Sequence, residues 1–140
     1  MKKIQYCFVL IFCFLIIACS KTTTPPAPSK TTAPTSPRIV LNALDVEKIK
    51  SNLDKHATVH GKVYNVFEAP SGKVINLNMG TNYKSCFKAV IFASSFNKWP
   101  REREFFNSLI GKDITVEGSI QDYKGAPQII ISSPVQLKIE

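Results

Sequence analysis

The sequence predicts a mainly β domain over residues 39–140: five strands closing a small Greek-key barrel, with a helix between strands three and four and a short N-terminal helix. Three observations carry this. Runs such as V-H-G-K-V (59–63) and D-I-T-V-E-G-S-I (113–120) alternate apolar and polar residues with period two, as half-buried strands do. The period changes between Ala93 and Ile110, where Phe96, Trp99, Phe105, Phe106, Leu109 and Ile110 fall on one helical face. Glycines stand inside strands one and four, at 61 and 118, where a tightly coiled strand must bend.

The elements follow in order. Leu44 to Asp54 places Leu44, Val46, Ile49 and Leu53 near helical spacing, which predicts the short amphipathic helix. Strand one alternates through A-T-V-H-G-K-V-Y-N-V-F (57–67), with Val59, Gly61 and Val63 facing one way and His60, Lys62 and Tyr64 the other. Ala69-Pro70-Ser71-Gly72 is a turn. Strand two, Lys73 to Met79, turns Ile75, Leu77 and Met79 inward and Asn76 and Asn78 outward, and Gly80 to Ser85 is a polar loop. Strand three, Phe87 to Phe92, is apolar enough to be buried on both faces. Pro100 suits the first turn of the main helix and Gly111 its exit. Strand four, Lys112 to Ile120, has Ile114, Val116, Gly118 and Ile120 inward. Tyr123-Lys124-Gly125-Ala126 turns, Pro127 to Ser132 is strand five, and a tail from Val135 to Ile139 alternates again.

Five strands with a helix between the third and fourth is the layout of the OB-fold. V-H-G-K-V, F-K-A-V-I-F and G-K-D-I-T-V-E-G-S-I-Q-D-Y-K-G-A-P-Q-I-I-I-S-S-P-V-Q-L resemble the bacterial OB-fold domains grouped with tRNA-anticodon-type nucleic-acid binders. The resemblance covers about Ala57 to Leu137, and its most specific part is the glycine, turn and G-x-P-Q-I of the last stretch. It implies an OB barrel with a binding face. It does not name the ligand, because OB-folds take oligonucleotides, oligosaccharides, peptides or proteins.

The start of the chain has a different character. Met1-Lys2-Lys3 is positive, and Ile4 to Ala18 is almost continuously apolar but shorter than the ~20 residues that cross a bilayer. Leu15-Ile16-Ile17-Ala18-Cys19 resembles the lipobox of bacterial lipoprotein signal peptides, with Ile16 where leucine is usual. The resemblance implies a signal peptide over 1–18, cleavage before Cys19 and acylation of Cys19 with palmitate-type chains. The alternative is an uncleaved N-terminal anchor. Ser20, where aspartate would mark inner-membrane retention, points by the same resemblance to the periplasmic face of the outer membrane. Residues 19–38 then form a Pro/Thr-rich tether, with five prolines among the eighteen residues after Cys19-Ser20 and no large apolar side chain. Such a segment buries too little surface to offset its ordering entropy and acts as a semi-stiff spacer. Cys7 and Cys13 leave with the signal, so Cys86 is the one thiol of the mature chain without a lipid role, either a packed core residue or a site of intermolecular pairing.

Charge narrows the partners. The whole chain carries 18 Lys and Arg against 10 Asp and Glu, formally +8. From Ile39 onward the count is 13 against 10, so the domain is only mildly basic, at +3. Strong-field attraction to polyanions is excluded, while local basic and aromatic pairs remain. The outward candidates for single-stranded nucleic acid are Lys62, Tyr64, Asn76, Asn78, Tyr83, Lys84 and Lys88, with Tyr123 and Lys124 on the last hairpin. The other expectation is an envelope assembly lipoprotein whose barrel docks a protein or peptide partner. Enzymatic chemistry finds no support. His56 and His60 have no Cys or acidic cluster to complete a metal site, no G-x-S-x-G frames a serine, and Arg101 and Arg103 alternate with Glu102 and Glu104 as a solvated face does. No cofactor, metal or small-molecule substrate is expected.

Overall fold

The computed structural model describes residues 38–140, and the expected signal peptide, Cys19 and tether up to residue 37 lie outside the described residues. The architecture is mainly β. Strands β1 (Ile39–Asn42), β2 (His56–Lys62), β3 (Asn65–Glu68), β4 (Val74–Asn78), β5 (Lys88–Phe92), β6 (Asp113–Tyr123), β7 (Ala126–Ile130) and β8 (Leu137–Ile139) make one mixed sheet. Its path runs β1-β2-β6-β7-β5-β4-β3, with β8 on the free side of β6. The β1–β2 and β5–β7 ladders are parallel, the rest antiparallel.

Eight strands in an open path stand where the sequence led to five in a closed barrel. The difference has local causes. The first alternating run is cut by Val63 and Tyr64 into β2, which pairs with β6, and β3, which pairs with β4. Val63 N–H donates to Lys112 O and Tyr64 N–H to Asn78 O, both at 2.9 Å, so the chain changes partner between two adjacent residues. The side-chain phase slips at the same place. Val59 and Val63 are buried and Tyr64 and Asn65 are both exposed, after which Val66 packs on the core. One extra residue in a strand does this, as in a β-bulge. β1 and β8 are edge additions of four and three residues, too short for periodicity to register.

The helices are shorter than expected. α1 covers Val46–Lys50 and buries Ile49, while Leu44, assigned to its apolar face, precedes it and is 61% exposed. The single helix expected between β5 and β6 is two pieces, a 3-10 helix Ala93–Lys98 and α2, Glu102–Asn107. Pro100 drives Trp99 to extended backbone (φ −106°, ψ 139°), and Arg101 follows in the left-handed region at φ 52°, so no continuous helix passes. Phe96, Trp99, Phe106 and Leu109 still reach the core, and Ile110 does not.

The core is one cluster. Val59, Leu77, Phe87, Ile91, Phe106, Leu109, Ile114, Val116, Ile120, Ile129 and Ile131 are fully buried within it. Each such side chain removes apolar surface worth ~1.5–3 kcal/mol from water. Arg103 Nε meets Glu68 Oε1 at 2.7 Å, which fastens α2 to β3. Cys86 is a free, buried thiol.

Candidate binding groove on the outer sheet face

Register places the outward side chains of five strands in rows. Asn65 opposes Asn78, Asn78 opposes Lys88, Lys88 opposes Gln128 and Gln128 opposes Gln121. The result is a polar row across β3, β4, β5, β7 and β6. The neighbouring row, Phe67, Asn76, Val90 and Ile130, is mostly apolar. Cross-strand neighbours stand about 5 Å apart, close enough to act on one ligand together.

A groove of about 530 Å³ opens on these rows, lined by Asn65, Phe67, Asn76, Asn78, Tyr83 and Lys88. Its polar groups are three carboxamides, a phenol and an ammonium, and no carboxylate lines it. Asn78 is 3% exposed at the floor of the groove. Among the described residues the buried side-chain polar atom without a hydrogen-bond partner is Trp99 Nε1, away from this groove. Phe67 and Tyr83 are about half or more exposed, at 50% and 61%.

The loop carrying Tyr83 is built by Asn82 and Gly80. Asn82 O accepts from Cys86 N–H at 2.9 Å, and its Oδ1 accepts from Lys84 N–H at 3.1 Å. A Cβ on Gly80 would lie 2.7 Å from Cys86 Cβ, so the loop returns against its own start. Burial pushes the Cys86 thiol above its ordinary pKa, opposed by the Lys88 ammonium and backbone hydrogen bonds. Lys84 Nζ stands 5.9 Å from the centre of the Tyr83 ring.

Of the residues nominated from sequence, Asn76, Asn78, Tyr83 and Lys88 meet in the groove, with Lys84 flanking it. Four others lie outside its lining. Lys62 opposes Asp113 on the β2–β6 arm. Tyr64 touches the site through its backbone bond to Asn78, not through its ring. Tyr123 and Lys124 form a hairpin tip, where Lys124 and Gly125 both have positive φ (54° and 83°), the type I′ pattern. Lys124 Nζ sits 5.3 Å over the Tyr123 ring. Because β5 and β7 are parallel and Lys88 is level with Gln128, this hairpin and the Tyr83 loop leave the sheet at the same end.

Sequence reasoning missed Asn65 and Phe67. Unbroken alternation from Val59 puts position 67 inside, and the slip at Tyr64 turns Phe67 out. The available signal was the three-residue spacing of Val63 and Val66, which no straight strand allows.

Away from the groove, His60 lines a shallower depression with Thr58, Asp113, Thr115 and Glu140. Among the described residues no three His, Cys, Asp or Glu side chains come together as a metal site.

No protein-family model matches the chain, and no curated protein matches it. Solved structures do. The aspartyl-tRNA synthetase of Entamoeba histolytica aligns with TM-score 0.48 and 13% identity, over 96% of this chain and 28% of that one. A putative aspartyl-tRNA synthetase from Leishmania major aligns with TM-score 0.47 and 11% identity, over 82% and 23%. The OBody AM1L10, solved bound to hen egg-white lysozyme, aligns with TM-score 0.46 and 16% identity, over 68% and 89%. This chain spans less than a third of either synthetase.

Proposed function

We propose that this chain is a non-enzymatic binding module whose sheet is an OB-type barrel and whose groove holds single-stranded nucleic acid. The barrel assignment is supported by β2 and β3, separated by two residues, which make one bent strand linking both arms of the path. The ligand is supported chiefly by one observation: aromatic rings, amides and an ammonium line one groove with no carboxylate among them. Rings stack on bases, amides bond to base edges, and the ammonium meets phosphate.

The same proposal places the module in the cell envelope. Residues 1–18 act as the signal, Cys19 carries lipid, and 19–38 hold the domain off the periplasmic face of the outer membrane. No helix among the described residues is long and apolar enough to cross a membrane.

Anisotropy titration of a labelled single-stranded oligonucleotide with the full chain in mild detergent tests the ligand. Binding should weaken with salt, with a log–log slope of about 0.7 per phosphate neutralised. Absence of binding at low salt and high micromolar protein overturns the proposal in favour of a docked protein partner.

A further inference from the structure

We propose that the domain rests on an anionic phospholipid surface through two loop tips, Tyr83–Lys84 and Tyr123–Lys124. The inference takes the membrane from the reading above and does not depend on the nucleic-acid ligand. Strand direction is the starting point. β1 runs parallel to β2, β2 antiparallel to β6, β6 antiparallel to β7, and β7 parallel to β5. Strands β1, β2, β5 and β7 therefore all begin at one end of the sheet. Arg38 leads into β1, the Tyr83 loop into β5 and the Tyr123–Lys124 turn into β7. The chain thus enters the domain from the end at which both tips stand. β1 begins level with Ala57, which is level with Gly118, and β6 continues to Tyr123. At ~3.3 Å per residue the tip of that hairpin reaches up to about 16 Å further out than the start of β1. A tether sets how far the domain strays from the surface, and what stands on its near end sets how it lands.

The two tips are built alike. Each is a Tyr-Lys pair with the ammonium over the ring, at 5.9 Å in one and 5.3 Å in the other. Each is braced by a side-chain oxygen: Asn82 Oδ1 accepts from Lys84 N–H at 3.1 Å, and Asp122 Oδ1 accepts from Gly125 N–H at 3.0 Å. Residues 81–85 and 121–125 are all exposed, and both rings are more than half so. A tyrosine has an apolar body and a polar tip, which suits the headgroup layer, and a lysine beside it meets lipid phosphate. The stretch from Ala69 to Pro100 holds Lys73, Lys84, Lys88 and Lys98 and no acid, so no carboxylate near Tyr83 in the sequence repels such a surface. At the other tip the Asp122 carboxylate is engaged by Gly125 N–H. Asp54 and Lys55, whose backbones bond Ile120 below that tip, offset each other in charge. Of the groove lining, this surface shares only Tyr83.

Lysine acetylation of the full chain on vesicles, read by mass spectrometry, tests the contact. Vesicles of phosphatidylcholine are compared with vesicles of phosphatidylcholine mixed with phosphatidylglycerol. On the anionic vesicles Lys84 and Lys124 should react about fivefold more slowly, the worth of one lysine at such a surface. Exposed Lys112, which leads into β6 at the opposite end, should react alike on both. Lys124→Asn removes a charge and suits the positive φ of that position, so the turn persists while protection of Lys84 should fall toward its level on neutral vesicles. Equal reactivity of Lys84 and Lys124 on both vesicles, or protection of Lys84 untouched by Lys124→Asn, overturns the inference; flotation of the chain with neutral vesicles then leaves the lipid anchor standing. A chain that does not float with neutral vesicles overturns the anchor. The tips are in that case judged on anionic vesicles alone, where protection of the same two lysines upholds the inference and its absence overturns it.

Discussion

A methyl group placed on Gly118 would stand 2.7 Å from Cγ2 of Ile129 and 3.4 Å from Nε2 of Gln136, so strand β6 passes β7 with no room for a side chain. Gly118→Val should cost about 2–3 kcal/mol by overpacking. For a domain near a hundred residues that lowers Tm by roughly 10 °C or more. Ser119→Val, one residue on and exposed, should stay within a degree or two. Circular dichroism melts of both variants decide it, and equal melting would show that the approach is relieved at little cost.

Gln136 joins three chain segments through one amide. Its Oε1 accepts from Ser132 N–H at 2.9 Å and Ser133 N–H at 3.2 Å, while Nε2 donates to Glu117 O at 3.0 Å. Gln136→Leu keeps the size and strands those backbone groups, so unfolding in urea should show a loss of about 2 kcal/mol. Gln136→Glu should fall between, since the carboxylate accepts from Ser132 and Ser133 but cannot donate to Glu117.

Phe67→Ala and Tyr83→Ala should each weaken oligonucleotide binding by ~1–3 kcal/mol, the usual worth of one stacked base. Lys88→Ala should instead shallow the salt slope by about 0.7 while weakening all sequences alike. Tyr123→Ala, whose ring is outside the groove lining, should have less effect than Tyr83→Ala. An order reversed between the two tyrosines would move the site to the hairpin tip.

Cys86 should label slowly in the native state. Its burial favours the thiol over the thiolate and raises the pKa, so at neutral pH less of the reactive thiolate is present than in the unfolded chain. Maleimide labelling should accelerate as pH rises toward the raised pKa, and urea should accelerate it at any fixed pH. Native labelling as fast as in urea would mean that Cys86 is not held in the core.

If Cys19 carries lipid as proposed, Cys19→Ser removes the acylation site, and the variant should persist as an unprocessed precursor of higher mass. Metabolic labelling with a radioactive fatty acid measures this directly. Label retained by the Cys19→Ser protein would falsify the lipid anchor.

The sequence made the interior of the sheet legible and its joints obscure. Ile75 and Leu77 on β4, and Ile114, Val116 and Ile120 on β6, are buried as period-two alternation requires. Lys124–Gly125 forms the tight turn that its residue types call for. What alternation cannot show is a change of phase. The extra residue at Tyr64 splits one strand into two and decides that Phe67, not a neighbour, faces the groove. The helical face from Phe96 to Leu109 was readable because burial needs only side chains on one side; the break within it depends on the backbone at Trp99 and Arg101. For the site, outward parity on β4 and β5 identified Asn76, Asn78 and Lys88. Nothing in a one-dimensional pattern could show that Lys62 belongs to the other arm, since that follows from pairing with Asp113.

The parallel ladder between β5 and β7 joins Lys88 to Gln128, forty positions apart, whereas every groove residue lies between 65 and 88. These two scales separate the domain in time. Contacts within the β3–β4–β5 meander close short loops, and the β5–β7 contact must wait for a much longer one. The β3–β4–β5 ladders can therefore form before the β5–β7 ladder does. The long closures, β5 with β7 and β2 with β6, complete the core, and slowing them by mutation would prolong a state with paired groove strands and an unfinished core.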